Sequence, residues 1–250
     1  MRIAWDEHGR GAPLLLVQGL GYARWSWEPV TAGLAEHYRV LSFDNRGIGE
    51  SDKPAGPYTA REMARDALQV LDEAGVERAH VLGASLGGMI AQELAAAEPQ
   101  RVDRLVLCCT TPGGSGSVPM PEVTVRLFSE SASLEPLVAL RRFVENALGE
   151  APPPELVERL FALRAANPPD PAGWQAQAAA GTTFRGVDAE IDIPTLVLHG
   201  TADNVVDYRN AELLARRIPG ARVELLPGAG HLFFWEQPDA VVRIVTEFLG

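Results

Sequence analysis

Apolar runs alternate with helical patterns along most of the chain. Leu14-Leu15-Leu16-Val17, Val40-Leu41-Ser42-Phe43, Ala79-His80-Val81-Leu82, Leu105-Val106-Leu107-Cys108 and Thr195-Leu196-Val197-Leu198 are continuous, not alternating. Parallel strands covered on both faces read this way. Arg2 to Glu7 reads as a short edge strand before them, and Arg222 to Leu226 as the last strand. Between the runs, Trp27, Val30, Leu34 and Tyr38 recur at helical spacing behind Ser26, a candidate cap. Thr59-x-x-Glu62 is a capping box ahead of Met63, Ala67, Val70, Leu71 and Ala74, and Gly75 is placed to end that helix. Further helices are expected from Leu86 until Pro99, over Ala211, Leu214, Ala215 and Ile218, and from Pro238 to Phe248. This order predicts an α/β fold with a mostly parallel sheet and helices on both faces.

The alternation breaks between Pro112 and Glu190, where no strand is apparent. Ten of the nineteen prolines fall here, spaced as helix punctuation. Leu134, Val138, Arg141 and Leu148, then Leu156, Leu160 and Leu163, suggest short helices with one apolar side. We read residues 112–190 as a cap of three or four helices inserted into a core made of residues 1–111 and 191–250.

Composition narrows the function classes. A chain of 250 residues, 46% hydrophobic and 22% charged, suits one globular domain with an insertion. Its net charge of -11 argues against a nucleic-acid or anionic-membrane surface. Lys53 is the sole lysine and lies in a Pro/Gly-rich loop, which leaves Schiff-base chemistry without a well-placed residue. The adjacent Cys108 and Cys109 fit packed thiols in a reducing compartment. With no apolar leader at the N-terminus and no run near ~18 apolar residues, a cytoplasmic protein is expected.

Gly83-x-Ser85-x-Gly87 joins a strand to a helix. Flanking glycines permit a sharp turn that exposes the Ser85 hydroxyl at a helix N-terminus, where developing negative charge is favoured. The competing reading is an ordinary turn with a capping serine. A nucleophile needs a base and a group to orient that base. His231, in Gly228-Ala229-Gly230-His231 after the last strand, is the candidate base; His199 ends a strand and is expected to be structural. No carboxylate occurs from Leu105 to Met120, whereas Gly200-Thr201-Ala202-Asp203-Asn204 supplies Asp203. Asp207 instead precedes a helix and is expected to cap Asn210 or its neighbour. Gly19-Leu20-Gly21 with Asp44 imitates a dinucleotide fingerprint, but Arg24 stands at the third glycine and Trp25 and Trp27 crowd the approach. The five histidines lack metal-ligand spacing. No cofactor and no metal are therefore expected.

Gly19-Leu20-Gly21, Asp44-Asn45-Arg46-Gly47-x-Gly49-x-Ser51, Gly83-x-Ser85-x-Gly87, His199-Gly200-x-x-Asp203 and Gly230-His231 occur in this order. By these motifs the whole chain resembles the α/β-hydrolase superfamily, in particular its cap-bearing branch of small esterases and enol-lactone hydrolases. The resemblance implies catalytic Ser85, Asp203 and His231, an oxyanion hole of the Leu20 and Leu86 backbone N–H groups, and Arg46 in a buried ion pair. Relatives usually have histidine where this chain has Gln18. There is room for one edge strand before Leu14, which implies seven strands. The expected activity is hydrolysis of a carboxylic ester or lactone through an acyl-enzyme on Ser85. Carbon–carbon bond hydrolysis by the same triad, or a non-hydrolytic receptor on the same fold, are the alternatives.

Six arginines and ten acidic residues give the 112–190 segment a net charge of -4. Such a roof disfavours polyanions. Trp25, Trp27, Phe128, Phe143, Phe161 and Trp174 are the candidate lining of an apolar pocket. Arg141-Arg142 is a candidate anchor for a single carboxylate. A fairly apolar small-molecule ester or lactone is the expected partner, with neither nucleic acid nor membrane.

Overall fold

The computed structural model describes residues 1–250. The chain runs β1 (Trp5–His8), β2 (Ala12–Val17), α1 (Glu28–Ala35), β3 (Tyr38–Phe43), α2 (Ala60–Glu73), β4 (Ala79–Ala84), α3 (Leu86–Ala97) and β5 (Val102–Cys108). Four helices follow without a strand: α4 (Glu122–Ser131), α5 (Pro136–Asn146), α6 (Pro154–Ala166) and α7 (Pro171–Thr183). Then come β6 (Thr195–Gly200), α8 (Asn210–Arg217), β7 (Arg222–Leu226), α9 (Phe233–Glu236) and α10 (Pro238–Leu249). Prolines between β5 and β6 do start helices: Pro136, Pro154 and Pro171 occupy first positions, where a missing N–H costs nothing.

Seven strands form one sheet in the order β1-β3-β2-β4-β5-β6-β7, and only β1 is antiparallel to its neighbour. Alternate side chains of each strand feed two cores. Leu15, Val17 and Val81 face one, with Met63 and Leu71 of α2, Ile90 of α3 and Leu214 of α8. Leu14, Leu16 and Leu82 face the other, with Val30 and Leu34 of α1 and Val241 and Val245 of α10. The helices between β5 and β6 straddle both. Ala176 and Ala180 of α7 join the first core; Val144 of α5 and Leu160 of α6 join the second.

Strand order reverses between β2 and β4, so the carboxyl ends of these two strands flank a crevice. Ligands of open α/β sheets collect at such switch points.

Local chemistry explains the elements with one exception. The Thr59–Glu62 capping box forms, with Glu62 N–H donating to Thr59 Oγ1 and Thr59 N–H to Glu62 Oε2. Ser26, however, caps no helix. It donates to Ala23 O inside a tight turn over Arg24–Trp27, α1 starts only at Glu28, and Tyr38 opens β3. No helix of the chain is long and apolar enough to cross a membrane.

Candidate active site

Ser85 stands alone between β4 and α3, at φ 56° and ψ -119°. A non-glycine there is strained, at a cost of order 1–3 kcal/mol. The flanking glycines make the turn possible, since a Cβ on Gly83 would fall on Gly87 O and one on Gly87 on Val17 O. Ser85 N–H donates to Cys108 O at 2.9 Å and Thr110 Oγ1 donates to Ser85 O at 2.7 Å, so β5 holds the turn in place. The serine remains half-buried and open to solvent.

The loop after β2 lies against it: a Cβ built on Gly19 would sit 3.1 Å from Ser85 Cβ and 3.6 Å from Ser85 Oγ. Gln18 organises this loop. Its Oε1 accepts the Gly19 N–H at 2.7 Å, its Nε2 donates to Ser26 Oγ, and its carbonyl accepts from Asn45 Nδ2 at 2.8 Å. The Gly21 N–H donates to Gln177 Oε1 at 3.0 Å. Between two engaged amides, the Leu20 N–H has no acceptor within the chain; nor has the Leu86 N–H at the start of α3.

The acid and the histidine meet. His231 Nδ1 donates to Asp203 Oδ2 at 2.8 Å, which leaves Nε2 as the ring's free nitrogen. Asp203 Oδ1 accepts Val205 N–H at 2.7 Å and Val206 N–H at 2.9 Å. A second imidazole shares Oδ2: His199 Nε2 lies 3.1 Å from it and 2.9 Å from Val206 O. Because a carbonyl only accepts, His199 carries its proton on Nε2, and its buried Nδ1 has no partner. Burial alone would push the Asp203 carboxyl up. The His231 charge and the hydrogen bonds of both rings outweigh it and hold the group well below the usual carboxylate range. Burial alone would lower His231; the Asp203 carboxylate outweighs it and raises the imidazole well above its ordinary value.

Cys109 directly follows β5: its N–H donates to Leu198 O at 3.0 Å, and its φ of 41° makes it the second strained non-glycine of the chain. Burial pushes its thiol up, which keeps it un-ionised. The sequence reads Cys109 as a packed thiol, and it is buried and free; its backbone strain leaves no mark in an apolar run.

The pocket candidates separate. Trp174 packs on the loop after β2, its Cδ1 lying 2.6 Å from where a Gly21 Cβ would be. Trp25 stands half-buried between Tyr22 and Trp235, with ring centroids 5.9 and 6.3 Å away. Trp27 does not line a pocket: it is 1% exposed and packs on Phe234 in the second core, because the turn at Arg24–Trp27 points it inward. Phe128 and Phe143 pack on each other, with Phe128 largely at the surface, and Phe161 carries the Arg141 guanidinium 4.3 Å above its ring. Arg141 and Arg142 are engaged by Glu158 and Glu130 at 2.7 Å each. Arg46 forms a two-pronged pair with the buried Asp66. The Asp207 carboxylate accepts the Arg209 N–H at 2.9 Å, while its backbone carbonyl accepts that of Asn210 at 3.0 Å, since α8 begins two residues after Tyr208. No three His, Cys, Asp or Glu side chains are grouped to hold a metal ion.

A model of the alpha/beta hydrolase fold family matches residues 12–238. The chain is 33% identical over 252 residues to a protein of Azorhizobium caulinodans provisionally named a carbamate hydrolase, covering 98% of this chain and 94% of that one. An enol-lactonase of Burkholderia xenovorans LB400 superposes with a TM-score of 0.81 at 30% identity, over 99% of this chain and 96% of that one. A thermophilic esterase of Thermogutta terrifontis gives 0.82 at 28% identity, over 99% and 92%. A seven-stranded sheet with a strained serine at its switch point, together with a family match across most of its length, places this chain in the alpha/beta hydrolase fold family.

Proposed function

We propose that this protein is a serine hydrolase that cleaves a small, fairly apolar carboxylic ester or lactone through an acyl-enzyme on Ser85. The observation that carries the reading is the strained backbone at Ser85. No packing or capping role needs a serine there, and strain of this kind is retained where function requires it. In the proposed reaction His231 Nε2 takes the Ser85 proton as Oγ attacks the carbonyl carbon. Asp203 keeps the imidazole in the right tautomer and stabilises its charged form. The unengaged Leu20 and Leu86 N–H groups receive the oxyanion. His231 then returns the proton to the leaving alcohol, and water repeats the sequence to release the acid. A lactone follows the same path, except that its leaving alcohol stays tethered to the acyl group.

The net charge of -4 over residues 112–190 supports an uncharged substrate, and the pairing of Arg141 and Arg142 with Glu158 and Glu130 removes the main counter-argument. The test is a panel of p-nitrophenyl esters of increasing acyl length, several lactones, an aryl carbamate and acyl-coenzyme A, with fluorophosphonate labelling alongside. Hydrolysis of uncharged esters or lactones faster than acyl-coenzyme A, with labelling at Ser85 alone, is the expected result. Binding without turnover of any member, or labelling at another serine, would overturn the reading.

A further inference from the structure

Gln177, on α7, is one of the few charged or polar side chains with no exposed surface at all. Its two ends grip two different loops of the core. Oε1 accepts the Gly21 N–H at 3.0 Å, and Nε2 donates to Arg46 O at 2.8 Å. Both partners have one role only, a donor and an acceptor, so the amide has a single orientation that satisfies them.

Helix α7 does not need this residue in order to dock. Gly173 lies against Gly47 so closely that a Cβ on either would strike the other residue's backbone, and Tyr58 N–H donates to Ala176 O at 3.2 Å. A methionine would fill the Gln177 site equally well. What the amide adds is a fixed distance between the turn at Arg46 and the peptide plane joining Leu20 to Gly21. Gln18 fixes the plane on the other side through the Gly19 N–H. The only amide left free between these two clamps is that of Leu20. From the same side Arg164 of α6 donates to Gly21 O and stacks its guanidinium 4.2 Å from the Tyr22 ring. Both polar groups of Gly21 are thus held by residues from the inserted helices.

We propose that Gln177 is a positioning residue for the oxyanion hole: an inserted helix reaches back to aim the Leu20 N–H at the carbonyl oxygen of the reacting group. This rests on the proposed role of Ser85 and the Leu20 and Leu86 amides. It assigns to a residue outside the sheet a part in transition-state stabilisation, and it makes assembly of the hole depend on α7 being docked.

The test uses the full chain, p-nitrophenyl butyrate as substrate and phenylboronic acid as probe, since the boronate forms a tetrahedral adduct on the serine with an oxygen in the hole. Gln177→Met, checked for folding by thermal melt, should lose kcat by roughly 10–100-fold with KM little changed, and weaken phenylboronic acid by a similar factor. Gln177→Glu supplies a second readout. Its neutral carboxyl can accept from Gly21 and donate to Arg46 O, whereas its carboxylate cannot donate. Its kcat relative to the parent at each pH should therefore fall as pH rises. A folded Gln177→Met with parental kcat and boronate affinity would overturn the proposal, as would a loss confined to KM. If Gln177→Met does not fold, a pH-independent ratio for Gln177→Glu overturns it instead. Failure of the underlying reading looks different: parent protein that neither turns over the ester nor binds the boronate, or Ser85→Ala with parental activity, removes both.

Discussion

Two arms of the proposed site are held by different kinds of contact. The first, residues 18–21, is tied by side chains: Gln18, Gln177 and Arg164 each satisfy one backbone group of a glycine. The histidine arm, residues 228–232, is tied mostly by backbone. Glu150 N–H donates to Gly228 O at 3.2 Å and Leu232 N–H to Ala147 O at 3.0 Å, while the Glu236 carboxylate bridges Gly149 N–H and Gly230 N–H at 2.8 Å each. A Cβ on Gly149 would fall on Gly228 O, and one on Gly230 on the Leu148 carbonyl carbon. One arm is therefore adjustable by exchanging side chains. The other tolerates almost no change of shape, which suits a group that must hold a fixed distance from Asp203.

The sharpest way to separate geometry from chemistry is Ser85→Ala, which should leave both arms in place and lower turnover by about four orders of magnitude or more, with an unchanged melting temperature. Ser85→Gly should be as inactive but melt higher, because glycine adopts φ 56° without strain; equal melting of the two variants would show that the turn stores none.

Asp203→Asn attacks the anchor of the histidine arm and should lower kcat by about 10⁴. It should also move the pH profile. Asp203 raises His231, and the base works only when neutral, so parental turnover should rise with pH through a midpoint above the ordinary histidine value. Without the carboxylate the midpoint should fall. A pH–rate profile of both proteins checks the sign.

Gly149→Ala tests the rigid arm. Overpacking against Gly228 O should cost roughly 1–3 kcal/mol and lower turnover, whereas a neutral result would mean that the seam yields. The smallest effect is expected four residues beyond the acid. Asp207→Ala loses the bond to Arg209 N–H, and should cost about 0.5–2 kcal/mol in chemical denaturation with turnover of the folded protein unaltered. A large loss of activity in this variant would mean that the two aspartates share the work proposed for Asp203.

Sequence pattern carried far for some parts of this molecule. Mostly apolar runs identify the sheet because a strand buried on both faces keeps few polar residues, here Ser42, His80 and Thr195. The serine turn is visible because only glycine fits two positions either side of Ser85. Asp203 and His231 stand out because each sits in a short loop directly after a strand. Strand-end position alone gives His199 a structural part; its bond to Asp203 follows from the four-residue spacing between them once the loop after β6 is folded. Trp27 and Ser26 misled, since helical spacing cannot distinguish a helix from a tight turn that leads into one.

What the sequence alone determined is what local backbone geometry demands: strands, turns, caps and the loops that bear Ser85, Asp203 and His231. The tertiary structure decided which side chains brace those loops. Gln177 and Gly21 are separated by 156 positions, and Arg164 and Gly21 by 143. Their pairing leaves no periodicity in the chain, because it follows from where α6 and α7 dock. Gln177, one of two glutamines among the alanines of α7, becomes informative only once two core loops are known to lie on either side of it.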